Sequence, residues 1–413
     1  MLDLYLMLAL IGGLTLALSL AAGTLQSWRY LPSESIFAVL FGIAVGPHGF
    51  GILQLSTLSN PLFFIEQIAL VTVAFAVTSI ALRLPATYFR RHAVSMAALL
   101  GPGMLVMWLA SGFVTYALLP VPFWVALLIG AAITPTDPVL ANAIVVGETA
   151  AQNIPERIRF LLSAEAGAND GGAYPFVVLS IFLFAQPLDS ALATWATETI
   201  PLEVLGAIGF GLAVGAGVGQ LEDWLRNVGP MEETSMLTVT VALTFMVLGS
   251  AELLGFNAIL AVFATGFTYN WQADPQDEAK EQQVEEVFNR LFTIPVFVIF
   301  GMVLPWSEWA SLGWRGFALV VAVLLVRRLP MMFTLRPAIR PLNSPADTLF
   351  VGWFGPIGIT SLFYATLAAQ ETGSEIVWTA VSLIVAGSIL AHGATSTLFT
   401  LWYGQLAGDA ERL

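Results

Sequence analysis

The sequence predicts an all-α polytopic membrane protein of about thirteen transmembrane helices, arranged as inverted repeats with two broken helices crossing at the midplane. Three observations predict it. Of 413 residues, 57% are hydrophobic and only 10% charged, against roughly 25% charged in a soluble domain, and mean hydropathy is +0.82. The basic residues fall almost entirely on one side of the implied spans. Two of the spans carry clusters of helix breakers at membrane depth.

Composition also excludes several classes. There is no cysteine, so disulfides and thiolate chemistry are absent, and the three histidines, His48, His92 and His392, lie too far apart in sequence to suggest a metal centre. No cofactor motif is present and no enzymatic chemistry is expected. The net charge of −13 comes with no basic cluster suited to nucleic acid. The first apolar run lacks a basic n-region and carries Asp3, so it reads as a retained first helix rather than a signal peptide.

Hydropathy and breakers place the spans at about 2–26, 34–53, 61–82, 93–118, 121–146, 158–186, 203–221, 234–253, 256–272, 290–305, 315–335, 347–369 and 375–402. With the N-terminus outside, Arg29, Arg83, Arg90, Arg91, Arg157, Arg159, Arg226, Lys280, Arg290, Arg336, Arg340 and Arg412 all lie inside. Only Arg315 lies outside, and Arg327 and Arg328 fall within a span. That bias matches the positive-inside rule and sets the C-terminus in the cytoplasm of a bacterial-type inner or plasma membrane. The acidic segment 273–290 lies inside, as an amphipathic helix joining two halves or as a solvated linker.

Ionisable residues inside spans are expensive and mark function by default. Here they are Asp137, Glu165, Asp170, Glu252, Arg327 and Arg328, with Glu66 and Asp347 at span ends. Asp137 stands between Pro135 and Pro138 in the fifth span. Each proline removes a backbone donor and disfavours helix before it, so the chain should unwind over Thr134–Asp137 and free carbonyls such as that of Thr136. Half-helix ends meeting at such a break make ion sites in transporters. In the sixth span Glu165 and Asn169 share a helix face, Asp170 follows one residue further round, and the surrounding alanines and glycines permit close helix approach.

A carboxylate here binds a proton or a bare cation but not both, which suffices for coupled exchange. Arg327 and Arg328 are adjacent in the eleventh span, so one is expected to reach the cytoplasmic boundary. The other, Arg328 in preference to Arg327, would turn inward to pair with Glu165. Gly352, Gly355, Pro356 and Gly358 should break the twelfth span. Lying seven spans from the fifth, it has the opposite orientation, as an inverted repeat requires. Glu252 reads as a cap or interfacial group.

TPTDP in the fifth span, E-x-x-x-N-D in the sixth, a basic residue in the eleventh and a glycine-broken twelfth together resemble the cation–proton antiporter superfamily, in its sodium/proton exchanger (NHE/NhaP) branch. The resemblance covers essentially the whole chain. It implies a homodimer in which core helices, about 93–186 and 315–402, move elevator-fashion against scaffold helices, about 1–82 and 203–305. It implies Asp170 as the main cation and proton carboxylate, Asp137, Thr136 and Asn169 as shapers of that site, and Glu165 paired with the eleventh-span arginine. Asparagine before the aspartate is similar to the electroneutral class. The chain departs from the pattern in having Ala166 after the glutamate, only Thr72, Thr78 and Ser79 as polar residues of the third span, and Ile357 before Gly358 where relatives carry arginine.

The expected function is therefore secondary antiport of Na+ (or Li+) against H+, one for one, with the cation held at Asp170 and Asp137. Potassium/proton exchange is the alternative within the same fold. A channel or transporter-like sensor is the alternative of a different class. An intramembrane aspartyl protease is disfavoured, because Gly167-Ala168-Asn169-Asp170 lacks the G-x-G-D of those enzymes.

Overall fold

The structure is a computed structural model that describes residues 2–27, 33–53, 60–229, 233–271 and 275–410. Arg29 and Arg412 lie outside the described residues, as do positions 273 and 274 of the acidic segment. The described chain is helical throughout, with no strand among the described residues. Six stretches are long and apolar enough to cross a membrane by length and composition: Pro61–Arg83, Ala93–Leu118, Glu156–Ala185, Leu188–Val228, Trp306–Ala338 and Glu375–Leu406. Shorter apolar helices lie between them, including Glu34–Val45, Phe123–Ala132, Thr238–Leu254, Ala258–Asn270 and Arg290–Met302.

Helix Pro61–Arg83 runs through the centre. Asn60 caps its start, accepting from the Phe63 N–H at 3.2 Å, and every residue from Thr72 to Leu82 is buried. A helix apolar on all faces must be covered on all faces. Pro275–Met302, Ala258–Asn270 and Ile359–Thr372 supply that cover. Glycines set how closely the helices approach. A Cβ on Gly42 would lie 2.0 Å from the Val298 carbonyl oxygen, and one on Gly301 2.3 Å from that of Val39, so Glu34–Val45 and Pro275–Met302 touch backbone to backbone. Gly211 and Gly215 do the same for Gly206–Val228 against Ala258–Asn270. Gly112 and Gly130 do so for Met104–Leu118 against Phe123–Ala132.

Three elements differ from the sequence expectation. The loop expected before the seventh span is helical: the run Leu188–Val228 is continuous, widened to π-helical turns over Trp195–Leu205 around Pro201. A wide turn tolerates the donor that proline lacks, so the proline does not end the helix. The acidic segment is helical from Pro275 and continues without a break into the tenth span as Pro275–Met302. The eleventh span begins at Trp306, and Gly313, at φ +55°, kinks it before the regular part begins. It also breaks at its far end, where Trp306–Val326 gives way to Leu329–Leu335 and leaves Arg327 and Arg328 between the two helices.

The fifth and twelfth spans are each divided in two. Phe123–Ala132 and Pro138–Val145 flank the first break, and Pro345–Trp353 and Ile359–Thr372 flank the second. Gly352 lies inside the helix before the second break rather than at it.

Close glycine packing gives a test of the helix contacts. Gly42→Ala should destabilise by about 1–3 kcal/mol through overpacking, lowering the thermal transition of purified protein in detergent. Gly12→Ala, whose Cβ meets nothing within 4 Å, should leave that transition unchanged or raise it. Equal transitions for the two variants would contradict the contact.

Candidate functional site

The two unwound segments meet. The Asp137 N–H donates to the Pro356 carbonyl at 2.8 Å. The Asp137 carboxylate, 1% exposed, accepts from Val139 N–H at 2.7 Å and Leu140 N–H at 3.0 Å, and its second oxygen accepts from Ile359 N–H in the other broken helix. One side chain thus caps the N-termini of two half-helices whose positive dipole ends converge on it. Gly358 makes this approach possible, because a Cβ there would lie 2.1 Å from the Asp137 Oδ2.

Arg327 does the complementary work at the negative end. Its Nη1 donates to the carbonyls of Ile133, Thr134 and Pro135 at 2.8, 2.9 and 3.2 Å, and its Nη2 donates to that of Gly355. These carbonyls are the ones a broken helix leaves without partners, and in lipid they must be satisfied by protein. The guanidinium therefore closes the C-terminal end of Phe123–Ala132 and ties it to the second break.

Arg328 makes a fork-to-fork pair with Glu165, Nη1 to Oε1 and Nη2 to Oε2, the latter at 2.7 Å. Its Nε donates to the Val351 carbonyl at 3.0 Å. Gly355 leaves room for the arginine stem, since a Cβ there would lie 2.2 Å from the Arg328 Cδ. The expectation that one of the two arginines reaches the aqueous boundary is overturned, as both are 2% exposed. The helix stops at Val326, so the 100° step between neighbours on a continuous helix does not separate them.

Thr136 and Asn169 hold each other. The Asn169 Oδ1 accepts from Thr136 N–H at 3.0 Å, and the Asn169 Nδ2 donates to Thr136 Oγ1 at 2.7 Å. Helix Glu156–Gly172 is thereby pinned to the first break. Asp170 stands beside this pair, fully buried, and neither of its carboxylate oxygens has a hydrogen-bond partner. Its backbone carbonyl accepts from the Tyr364 hydroxyl at 2.5 Å. Gly171 brings the helix against Leu260, whose amide nitrogen would lie 2.8 Å from a Cβ at that position.

A second support of the twelfth-span break carries no signal in the sequence. The Ser388 Oγ accepts from Ile357 N–H at 2.8 Å. With its proton on Nε2, His392 donates to the Trp353 carbonyl at 3.0 Å and accepts from the Ser388 hydroxyl at 3.1 Å. The end of half-helix Pro345–Trp353 is closed in this way from Glu375–Ala410. Among the described residues there is no group of three or more His, Cys, Asp or Glu placed to hold a metal ion.

Two broken helices that meet, with a buried carboxylate beside the crossing, form the arrangement found in helical membrane transporters built from inverted repeats. The chain belongs to the family described as sodium/hydrogen exchanger, transmembrane, whose model matches residues 9–402; it is an integral membrane protein. It is 33% identical over 404 residues to a Na(+)/H(+) antiporter of Saccharomyces cerevisiae, covering 89% of this chain and 40% of that protein. It is 28% identical over 401 residues to a Na(+)/H(+) antiporter of Schizosaccharomyces pombe, covering 91% of this chain and 86% of that one. The chain thus spans less than half the length of the first relative and most of the second. The solved structure of the sodium proton antiporter MjNhaP1 from Methanocaldococcus jannaschii has the same fold, with a TM-score of 0.71 at 16% identity over 97% of this chain and 99% of that one.

Removing one partner of the buried pair separates charge compensation from packing. Arg328→Met leaves the Glu165 carboxylate uncompensated and should destabilise by about 3–5 kcal/mol. The double variant Glu165→Met/Arg328→Met should recover a substantial part of that loss in thermal unfolding. A double variant no more stable than Arg328→Met would contradict a charge-compensation role.

Proposed function

We propose that this chain exchanges Na+ or Li+ for H+ across the membrane, one for one, by competition of the two at Asp170. The observation that carries this reading is the division among three buried carboxylates. Asp137 is engaged by three backbone N–H groups and Glu165 by an arginine fork, whereas both Asp170 oxygens have no partner. A buried carboxylate without a hydrogen bond is stable only when something positive joins it. A proton or a monovalent cation serves, and each excludes the other. One carboxylate exchanging one charge for one charge makes the cycle electroneutral. Asp137, Thr136 and Asn169 shape the site rather than compete for the proton. The relatives' names as Na(+)/H(+) antiporters support the choice of ions.

Alternating access requires a body that moves as a unit, and the core helices have the ties for it. Arg157, at the start of Glu156–Gly172, donates to Asp347 Oδ2 at 2.9 Å. Asp347 caps Pro345–Trp353 through a reciprocal box with Ser344 and accepts from Tyr403 of the last helix. This clamp supports elevator-like movement of about 93–186 and 315–402 against a dimeric scaffold of about 1–82 and 203–305. Thirteen spans with the N-terminus outside complete the topology, on the strength of the loop charge.

In proteoliposomes, the wild-type chain should show cation-driven proton movement with Na+ or Li+, and Asp170→Asn should abolish it. Retained exchange in that variant would sink the assignment to Asp170, and a response to K+ alone would replace the ion. The rate should not change with an imposed membrane potential; a clear voltage dependence would refute one-for-one exchange.

A further inference from the structure

Asp170 is not alone in lacking a partner. Thr360, near the start of half-helix Ile359–Thr372, is 1% exposed, and its hydroxyl also makes no hydrogen bond. Bonds of their chain neighbours bring the two groups to one place: Ile359, just before Thr360, donates to Asp137, and Asn169, just before Asp170, is bonded to Thr136. Their placement is fixed from both sides. Tyr364 lies four residues after Thr360 on the same helix face, and its hydroxyl is bonded to the Asp170 carbonyl at 2.5 Å. That contact presses this face of the half-helix against the Asp170 turn.

The free hydroxyl of Thr360 has a structural cause. Many buried threonines bond the carbonyl four residues earlier, as Thr72 does on Ile68 at 2.7 Å, Thr134 on Gly130 at 2.8 Å and Thr366 on Leu362 at 3.1 Å, whereas Thr199, Thr240 and Thr400 share the free hydroxyl of Thr360. For Thr360 that carbonyl belongs to Pro356, across the unwound segment, where it accepts from Asp137 N–H instead. Leaving a buried hydroxyl without a partner is unfavourable, so a bound species that joins this oxygen is stabilised by it.

Resting on the reading of Asp170 as the exchange carboxylate, we infer that Thr360 is a ligand of the transported cation: its hydroxyl oxygen joins the Asp170 carboxylate around the ion and sets affinity and choice among alkali cations. Hard cations bind oxygens at about 2.4 Å, so ligands on two sides of one ion stand further apart than hydrogen-bonded oxygens do. The hydroxyl is neutral, so it adds affinity without altering the one-for-one charge balance.

The test uses the full chain in proteoliposomes with Na+, Li+ and K+ as probes. Thr360→Val keeps the shape and removes the oxygen; Thr360→Ser keeps the oxygen. Thr360→Val should raise the apparent KM for Na+ about tenfold, the loss of one bond to a charged group, with maximal rate within about twofold. Thr360→Ser should stay within about twofold of wild type in both. Because protons compete with the cation, the acid-side midpoint of activity at saturating Na+ should rise by about one pH unit in Thr360→Val, which a merely structural role would not move. An unchanged KM in Thr360→Val, with Asp170→Asn inactive, overturns the ligand and leaves the antiport reading intact; absent exchange in wild type sinks that reading instead. A KM shift in Ser361→Ala with none in Thr360→Val would also overturn it. If Thr360→Val does not accumulate, Na+-dependent thermal stabilisation is compared between Thr360→Ala and Thr360→Ser. A tenfold higher Na+ requirement in Thr360→Ala alone supports the ligand, and equal requirements overturn it.

Discussion

Unwound backbone buried in a membrane protein must find every hydrogen-bond partner within the protein, and in this chain two side chains supply most of them. Arg327 takes the carbonyls left by the first break together with that of Gly355. Asp137 takes the amide groups of Val139, Leu140 and Ile359. One cation therefore closes a negative helix end and bridges to the second break, and one anion closes two positive ends, reaching across to the other broken helix. The crossing is held by charge placed on helix dipoles, with glycines at positions 355 and 358 giving the room.

That arrangement explains why the remaining charges are distributed as they are. With the crossing already satisfied, Glu165 and Arg328 pair with each other and leave no net charge behind. Asn169 is used on Thr136. Among the described residues, the buried carboxylate with neither oxygen bonded is Asp170, and the Thr360 hydroxyl nearby is also without a partner. A site that binds and releases an ion needs such a group: one whose partners come and go while everything around it stays satisfied. Rigid surroundings keep the desolvated carboxylate from relaxing onto a neighbouring donor, so the free energy of binding is not lost to rearrangement.

The helical membrane architecture and the family were legible because they rest on features that survive any detail of packing: the apolar fraction, the placement of basic loops, and TPTDP followed one span later by Asn169-Asp170. The interruptions at 133–137 and 354–358 follow from proline and glycine spacing alone. Other parts depend on where the chain goes in space. Positions 187–202 fall between the expected sixth and seventh spans, yet wide helical turns absorb Pro201 and the helix runs on. Adjacent arginines read as facing apart only if the helix continues, and it stops at Val326. The free carbonyls upstream of Pro135 are a signal that some cation must cover them, and following that requirement would have found Arg327. Thr360 has no such signal, because the Pro356 carbonyl four residues before it is taken by a residue more than two hundred positions away.

The most direct test of Asp170 as the one group shared by the two ions is the proton count on cation binding. Purified protein in a weakly buffered solution above the acid range is titrated with Na+ while a pH indicator records release. Competition at a single carboxylate predicts release of up to about one proton per chain, saturating with Na+ and absent in Asp170→Asn. Release that persists in Asp170→Asn, or Na+ binding that displaces no proton at any pH, would contradict it.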